Sequence, residues 1–582
     1  MTTFCVDPAL TYRLQPNPDP PAAVPEPIDY INRLPAELIL HIFMILHIPR
    51  GRIQPPGFRM RWIRVTWVCR RWREIALGCG MLWTSLTLFK APRDVQAIST
   101  LLNNTRGAPL NLNLRPEGFE YFQSAVNPIL ALAVLFKAPE ASQVGSFIKL
   151  VGRPIRRLVL SLDAGQPELK FCIRSKQLPH LRELAIMRLT PVVSGTFKGL
   201  TWLTVNNVWA HPETTLYNLL AACPNLETLV IRDSLPLCER YVVQNPGDLI
   251  PIHLPRLRDL RMEPASAWDL GWFLQWIRLP ATAAFHITAS YAGYPPDPDE
   301  FEGWLAGHLF PQPLNALPIV AQARSVAVRL GSGTPGEEFA LFGSSEVDLR
   351  VHENERSWSI VVPSFDRSWN FPPAGVDEDD DYDESARRLP DCCPHALAEL
   401  PELIDPSRIV VLQMHVAPGL PVNQDWNKWL ASFTSLRYLI VGGTHLVARI
   451  LVALRARIDL LLNLEVLQFC LAVLPEDPDN AYIDPVDFAA WVGLRRLIGR
   501  GLKAFSVRVP AVPTVQTTAL AAQLLSHAVA EGVGKPACIV SDTCQSCHFV
   551  FDTGESDEDA DGSSQASGEN DTEEWAVELT RS

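Results

Sequence analysis

The sequence lacks most of what an enzyme, a membrane protein or a disulfide scaffold requires. No G-x-S-x-G, H-E-x-x-H or P-loop pattern occurs, which removes familiar signatures of hydrolases, zinc proteases and nucleoside triphosphatases. No apolar run is long and clean enough to span a bilayer. The most apolar stretch, 458–474, is broken by Asp459, Asn463, Glu465 and Gln468. Residues 1–27 are proline-rich and have no basic region followed by an apolar run, so no signal peptide is expected. The twelve cysteines are scattered from Cys5 to Cys547. Disulfide scaffolds are short and cysteine-dense, so this usage points to free thiols in the cytosol or nucleus. Positive charge is also short. Lys and Arg number 51 against 64 Asp and Glu, a net charge of -13, which disfavours bulk binding to phosphate backbones.

What is present is globular: 47% of residues are hydrophobic and 20% charged. The length allows roughly two to four domains. The 50 prolines exceed the average of roughly 5% and stop helices and strands often, which favours many short elements.

Residues 1–27 read as a disordered lead, and 28–90 carry a compact helical pattern. Leu34-Pro-Ala-Glu-Leu38 opens a helix, with Pro35 at its first position and Glu37 where the helix dipole favours an anion. Leu38, Ile39, Ile42, Phe43 and Leu46 then form one apolar stripe at helical spacing. A loop, Pro49 to Gly57, ends this helix. A second helix is expected from about Arg59, because Trp62, Val65, Cys69, Trp72 and Ala76 recur every three to four residues.

From 91 to 510 a looser phrase recurs: an apolar residue, another three later and a third two after that. It stands at Ile155/Leu158/Leu160, Leu181/Leu184/Ile186, Leu200/Leu203/Val205, Leu226/Leu229/Ile231 and Leu257/Leu260/Met262. It returns at Ile409/Leu412/Met414, Leu436/Leu439/Val441, Leu464/Leu467/Phe469 and Leu502/Phe505/Val507. Apart from the last gap of 38, neighbouring copies within a run lie about 19 to 31 residues apart, which brackets the period of leucine-rich repeats. One copy arises by chance in any leucine-rich chain; runs of similar spacing point to a short inward-facing parallel strand per repeat, stabilised by stacking. The fold class expected is α/β: a small all-α domain, then an irregular repeat solenoid. The phrase is missing from about 265 to 400, where 325–330, 347–351 and 358–362 look like strands and Asp377 to Glu384 is an acidic run. That region is expected to be an insertion. A helix over 515–530 is expected to begin a C-terminal cap, 511–550. Residues 551–582 are acidic and read as disordered.

The segment Ile31-Asn-Arg-Leu-Pro-Ala-Glu-Leu-Ile-Leu-His-Ile-Phe43 resembles the first half of an F-box. Val68-Cys-Arg-Arg-Trp-Arg-Glu-Ile-Ala76 resembles the second half, and Leu82-Trp-Thr84 the usual exit. The resemblance covers about 60 residues. The order of F-box then leucine-rich repeats, and the phrase Asn104-Thr-Arg-Gly-Ala-Pro-Leu-Asn-Leu-Asn-Leu114, look like many fungal F-box proteins. The resemblance implies docking to the Skp adaptor and, through it, to a cullin scaffold, with the repeats receiving an unknown protein substrate for ubiquitination. The family's contact positions fall on Leu34, Pro35, Glu37, Leu38, Ile42, Phe43, Val68, Cys69 and Trp72. No catalytic residue, cofactor, metal, nucleic acid or membrane is expected in this role, which belongs to the cytoplasm or nucleus. The insertion around Pro49 to Phe58 is longer than the usual inter-helix turn. Two rival readings stand beside this one. In the first, the stripe is ordinary core, and polar replacements at Leu34 and Phe43 unfold the domain. In the second, the chain is a repeat scaffold for protein–protein interaction with no ligase role.

Three further signals look chemical. Gly331-Ser-Gly-Thr-Pro-Gly336 spells G-x-G-x-x-G, but Glu337 and Glu338 follow it, so a glycine-rich turn is preferred over a phosphate cradle. Cys544-Gln-Ser-Cys547-His548 has Cys538 ahead of it, but a zinc site takes four ligands, and Cys392-Cys-Pro-His395 is only a distant complement. The arginines at 50, 52, 59, 61, 64, 70, 71 and 73 make the box locally basic, which reads as a solvated helix face.

Overall fold

The computed structural model describes residues 34–47, 61–88, 95–123, 128–166, 169–208, 212–232, 251–266, 270, 273–274, 277–290, 317–333, 336–347, 358–363, 392–416, 425–471, 483–510 and 515–541. Two compact units divide the chain. The first holds Met1–Trp83 with Thr100–Arg106, and the second holds Thr84–Ser99 with Gly107–Ser582. The first unit thus ends near Trp83 and takes a later segment, where the sequence placed a continuous domain over 28–90.

In the first unit, helix α1 spans Ala36–His47 and helix α2 spans Arg70–Gly78, with 3-10 turns at Arg61–Trp67 and Gly80–Trp83. Two expectations are corrected here. Pro35 stands one residue ahead of α1, and its carbonyl accepts the amides of Leu38 and Ile39 at 3.1 and 3.2 Å. The second helix is not continuous from Arg59: a 3-10 turn gives way to α2 at Cys69, whose Sγ accepts the Trp72 amide and caps the helix. The Thr66 hydroxyl donates back to the Ile63 carbonyl, and Arg73 Nε donates to the Thr66 carbonyl. Those bonds close the 3-10 turn before α2 begins.

Helix α3, Val95–Asn104, begins in the second unit and ends in the first. The second unit contains helices α4 (Ala141–Val151), α5 (Pro212–Ala221), α6 (Pro318–Ala321), α7 (Cys392–Leu403), α8 (Trp426–Ala431), α9 (Thr444–Ala456), α10 (Pro485–Leu497) and α11 (Val515–Ala530). Its strands are β1 (Ser85–Leu88), β2 (Leu110–Leu114), β3 (Ile129–Phe136), β4 (Arg157–Leu162), β5 (Lys170–Arg174), β6 (Glu183–Met187) and β7 (Thr190–Ser194). Then follow β8 (Trp202–Asn206), β9 (Thr228–Arg232), β10 (Ile252–His253), β11 (Asp259–Ser266), β12 (Ile277–Arg278), β13 (Ala284–Ser290) and β14 (Ser325–Gly333). The last are β15 (Gly336–Ser344), β16 (Trp358–Pro363), β17 (Val411–Val416), β18 (Tyr438–Gly442), β19 (Val466–Cys470), β20 (Ala504–Pro510) and β21 (Pro536–Ser541).

Among the described residues, seventeen strands form one sheet. From β1 the ladder runs in parallel through β2, β3, β4, β6, β8, β9, β11 and β13 to β16. Strand β15 pairs antiparallel with both β16 and β14. From β14 the ladder is parallel again through β17, β18, β19, β20 and β21. Strands β5 with β7 and β10 with β12 form two small parallel pairs.

The repeated phrase maps onto columns of this ladder. Leu158, Leu184, Leu203, Leu229, Leu260 and Phe285 are in register, as are Leu160, Ile186, Val205, Ile231, Met262 and Ile287. All are buried. Side chains alternate across a strand, so apolar residues two apart share a face, and each buried Leu is worth about 1.5–3 kcal/mol. Cooperation between rungs follows, because one strand cannot cover that face alone.

The 265–400 region is therefore not outside the sheet. Strands β13, β14, β15 and β16 all join it, although the three-strand meander reverses the chain order within the ladder. Of the strands expected there, 325–330 and 358–362 are found, while Val347 lies past the end of β15 and 348–351 lie outside the described residues. The C-terminal region is likewise more than a capping helix: α11 is followed by β21, which adds a rung beside β20. The lead 1–27, the acidic run 377–384 and the tail 551–582 lie outside the described residues.

One buried cation ties the C-terminal half together. Arg495 on α10 is fully buried, and its guanidinium donates to the carbonyls of Leu461 at 2.8 Å, Leu464 at 3.1 Å and Arg500 at 3.0 Å. It lies over the Trp491 ring, 5.2 Å from the centroid. Burial, aided by Arg500, pushes its pKa down to about 10. The turn between α9 and β19 has carbonyls with no helix or strand partner, and this side chain supplies the donors.

Candidate F-box docking surface

The core of the first unit is built by both halves of the pattern. Ile39 and Phe43 of α1 meet Val65, Ala76, Leu82 and Trp83, with Leu34, Leu40, Met44, Ile63, Trp72, Ile75, Cys79 and Leu101 packed around them. The Phe43 and Trp72 rings meet edge-on with centroids 5.2 Å apart. Two side-chain bonds close the unit. Arg71 reaches the Leu34 carbonyl at 2.6 Å, and Trp83 Nε1 reaches the Ala76 carbonyl at 2.9 Å. At Gly80 a Cβ would stand 2.2 Å from the Thr105 carbonyl oxygen, so the exit turn needs glycine to lie against the segment from α3.

Helix α1 reads Ala-Glu-Leu-Ile-Leu-His-Ile-Phe-Met-Ile-Leu-His and is apolar over most of its circumference. A helix of that kind is expected to be covered on more than one side. The unit's own core covers the side holding Ile39 and Phe43. Leu38 keeps 51% of its surface exposed, Ile42 38% and Leu46 56%. These three are spaced i, i+4, i+8, so they line one face of the helix. The junction between the 3-10 turn and α2 adds Trp67 at 71% and Val68 at 61%, and Met81 is also exposed.

The nine contact positions therefore separate. Pro35, Glu37, Leu38, Ile42 and Val68 are exposed. Leu34, Cys69 and Trp72 are half-buried, and Phe43 is completely enclosed in the unit's own core. The single stripe inferred from spacing is two adjacent faces, one internal and one open. Trp67 was missed because a continuous helix over 59–76 would have turned it off the stripe; the break at Val68–Cys69 exposes it.

The arginines around the box are largely engaged within the unit. Arg70 pairs with Glu74 one turn on at 2.8 Å, while Arg71 and Arg73 bond backbone carbonyls as above. Arg50, Arg52, Arg59 and the loop 49–58 lie outside the described residues. The other chemical-looking signals resolve similarly. Gly331 to Gly336 joins antiparallel β14 and β15, with Glu337 and Glu338 inside β15, so a hairpin stands where a phosphate-binding helix start would be needed. Cys544, Cys547 and His548 lie outside the described residues. Among the described residues no cluster of three His, Cys, Asp or Glu is arranged as metal ligands, and no helix is long and apolar enough to cross a membrane.

Residues 31–88 match the family model described as F-box-like. The chain carries an F-box-like domain over these residues. F-box domains in general bind the Skp adaptor within Skp–cullin–F-box assemblies and act there as substrate adaptors. The matched span contains α1, α2, both 3-10 turns and β1, so it covers the whole surface just described. No curated protein matches the chain.

Proposed function

We propose that this F-box protein is the substrate-recognition subunit of a Skp–cullin–F-box ubiquitin ligase, with the layout of fungal F-box proteins. The F-box docks the Skp adaptor and through it the cullin scaffold. The strand ladder is a leucine-rich-repeat solenoid that holds a protein target. The chain performs no chemistry of its own; it brings a target to a conjugating enzyme carried elsewhere in the assembly, in the cytoplasm or nucleus.

The observation that carries this reading is the open face of α1. Leu38, Ile42 and Leu46 lie in water on a helix whose other face already has its core. Helix-in-groove docking needs such a row of i, i+4, i+8 anchors. Co-expression of the full chain with the Skp adaptor, followed by affinity capture, is the test. The adaptor is expected to co-purify with the wild-type chain and to be lost from Leu38→Glu, whose circular dichroism should be unchanged. If the wild-type chain captures no adaptor, the ligase role fails and a scaffold without one takes its place.

A further inference from the structure

The turns leading into β4, β6, β8, β9 and β11 share one geometry. In each, the amide of the buried residue (Ile155, Leu181, Leu200, Leu226 or Leu257) bonds the carbonyl three residues back at 3.1 to 3.3 Å. The next residues are then joined rung to rung. The Arg182 amide bonds the Arg156 carbonyl at 2.7 Å, Thr201 bonds Arg182 at 2.8 Å, Glu227 bonds Thr201 at 2.8 Å and Arg258 bonds Glu227 at 2.7 Å. These five positions stand one above another along one edge of the sheet. At a strand spacing of about 4.8 Å they cover roughly 19 Å.

That edge is basic although the chain is acidic. Arg153, Arg156, Arg182, Lys198, Arg256 and Arg258 are all exposed. Glu227 is the one acid in the same turns. The nearest strand carboxylates are occupied by other arginines: Glu183 pairs with Arg157 at 3.2 Å, and Asp259 with Arg261 at 3.0 Å. Among the described residues the six edge cations form no ion pair. The matching positions further along the ladder are Arg324, Val410, Arg437, Glu465 and Lys503, joined by the same backbone pattern, and there Lys503 pairs with Glu465 at 3.0 Å.

We propose that this edge docks an acidic segment of a protein partner. The proposal rests on the reading that the ladder holds a target, and it names the chemistry of that target. Guanidinium forks match carboxylates in a bidentate way, which a row of arginines repeats. An extended peptide advances about 3.3 Å per residue, so about six residues fit the edge. A nucleic acid carries its charge well beyond that length, into the field of a chain with net charge -13. A short acidic peptide stays within about one Debye length, roughly 8 Å, of the edge cations.

Fluorescence anisotropy on the full chain tests this with three labelled probes: a hexaglutamate peptide, a hexaglutamine peptide of the same length, and a single-stranded DNA hexanucleotide. The chain is used as wild type and with Glu555→Gln, Asp557→Asn, Glu558→Gln, Asp559→Asn and Asp561→Asn together, in case its own acidic tail competes. The glutamate peptide is expected to bind at least one of these at least tenfold tighter than the glutamine peptide. Arg156→Glu with Arg182→Glu and Arg258→Glu should weaken that binding at least tenfold, with circular dichroism and Skp-adaptor capture unchanged. If the triple variant misfolds, Arg156→Gln with Arg182→Gln replaces it, with at least threefold expected. The proposal is overturned by absence of binding to both forms, by binding indifferent to the reversal, or by preference for the oligonucleotide. Because adaptor capture is read on the same variants, losing it in the wild type defeats the ligase reading and leaves the peptide result to be judged separately.

Discussion

Replacing Leu38 and Ile42 together by alanine separates docking from folding. Burying a whole Leu or Ile side chain is worth about 1.5–3 kcal/mol. Only the share still in water is available to a partner: 51% for Leu38 and 38% for Ile42. That leaves about 0.8–1.5 kcal/mol for the first and about 0.6–1.1 kcal/mol for the second. Together they predict adaptor binding weakened about 10- to 80-fold. Phe43 sits at the opposite extreme. It is fully enclosed and meets Trp72 edge-on, so Phe43→Ala opens a cavity and costs about 3–5 kcal/mol of stability. Calorimetric titration with purified Skp adaptor, beside thermal melts followed by circular dichroism, reads both quantities. The double variant should lose affinity and keep its melt; Phe43→Ala should lose its melt first. A double variant that binds within twofold of wild type, or melts as low as Phe43→Ala, refutes the division of α1 into an inner and an outer face.

Three further outcomes follow from the packing. Arg495→Leu removes the guanidinium donor from the carbonyls of Leu461, Leu464 and Arg500 and should cost about 3 kcal/mol or more, read by denaturant unfolding. Gly80→Ala drives a Cβ against the Thr105 carbonyl oxygen and should lower the stability of the first unit, read by limited proteolysis, without altering the ladder. Cys223 is buried, and burial pushes its thiol up to about 12, so native protein should alkylate at the exposed Cys172 and Cys538 while Cys223 reacts only after unfolding. The sign for stability is a loss with rising pH. Above about 9 the unfolded chain releases that proton and the folded chain holds it, so the melt should fall between about pH 9 and 12.

Much of the ladder is legible because its phrase is a physical requirement. An apolar residue at the second and third positions is what a buried parallel rung needs, and Leu158 through Met262 appear in both sequence and register. Strand β13 escaped because Phe285 and Ile287 fill the same columns without leucine at the head of the phrase. Strand β15 escaped because its glycine-rich lead resembles a nucleotide loop, and only pairing across the hairpin distinguishes the two. At the F-box, spacing found α1 but could not divide its apolar residues. Ile39 and Leu38 are adjacent and chemically alike; one is buried and the other half exposed because Val65, Leu82 and Trp83 arrive from far along the chain. The break at Cys69 depends on a thiol accepting one amide, a signal that helical periodicity does not contain.

Hydrogen exchange by mass spectrometry, with and without the Skp adaptor, tests the central claim most directly. Protection is predicted in peptides covering Ala36–His47 and in those covering 67–81, where Leu38, Ile42, Leu46, Trp67, Val68 and Met81 are open. Peptides from β6 to β11 should be unaffected. A complex that forms while Ala36–His47 exchanges as in the free chain would contradict the account.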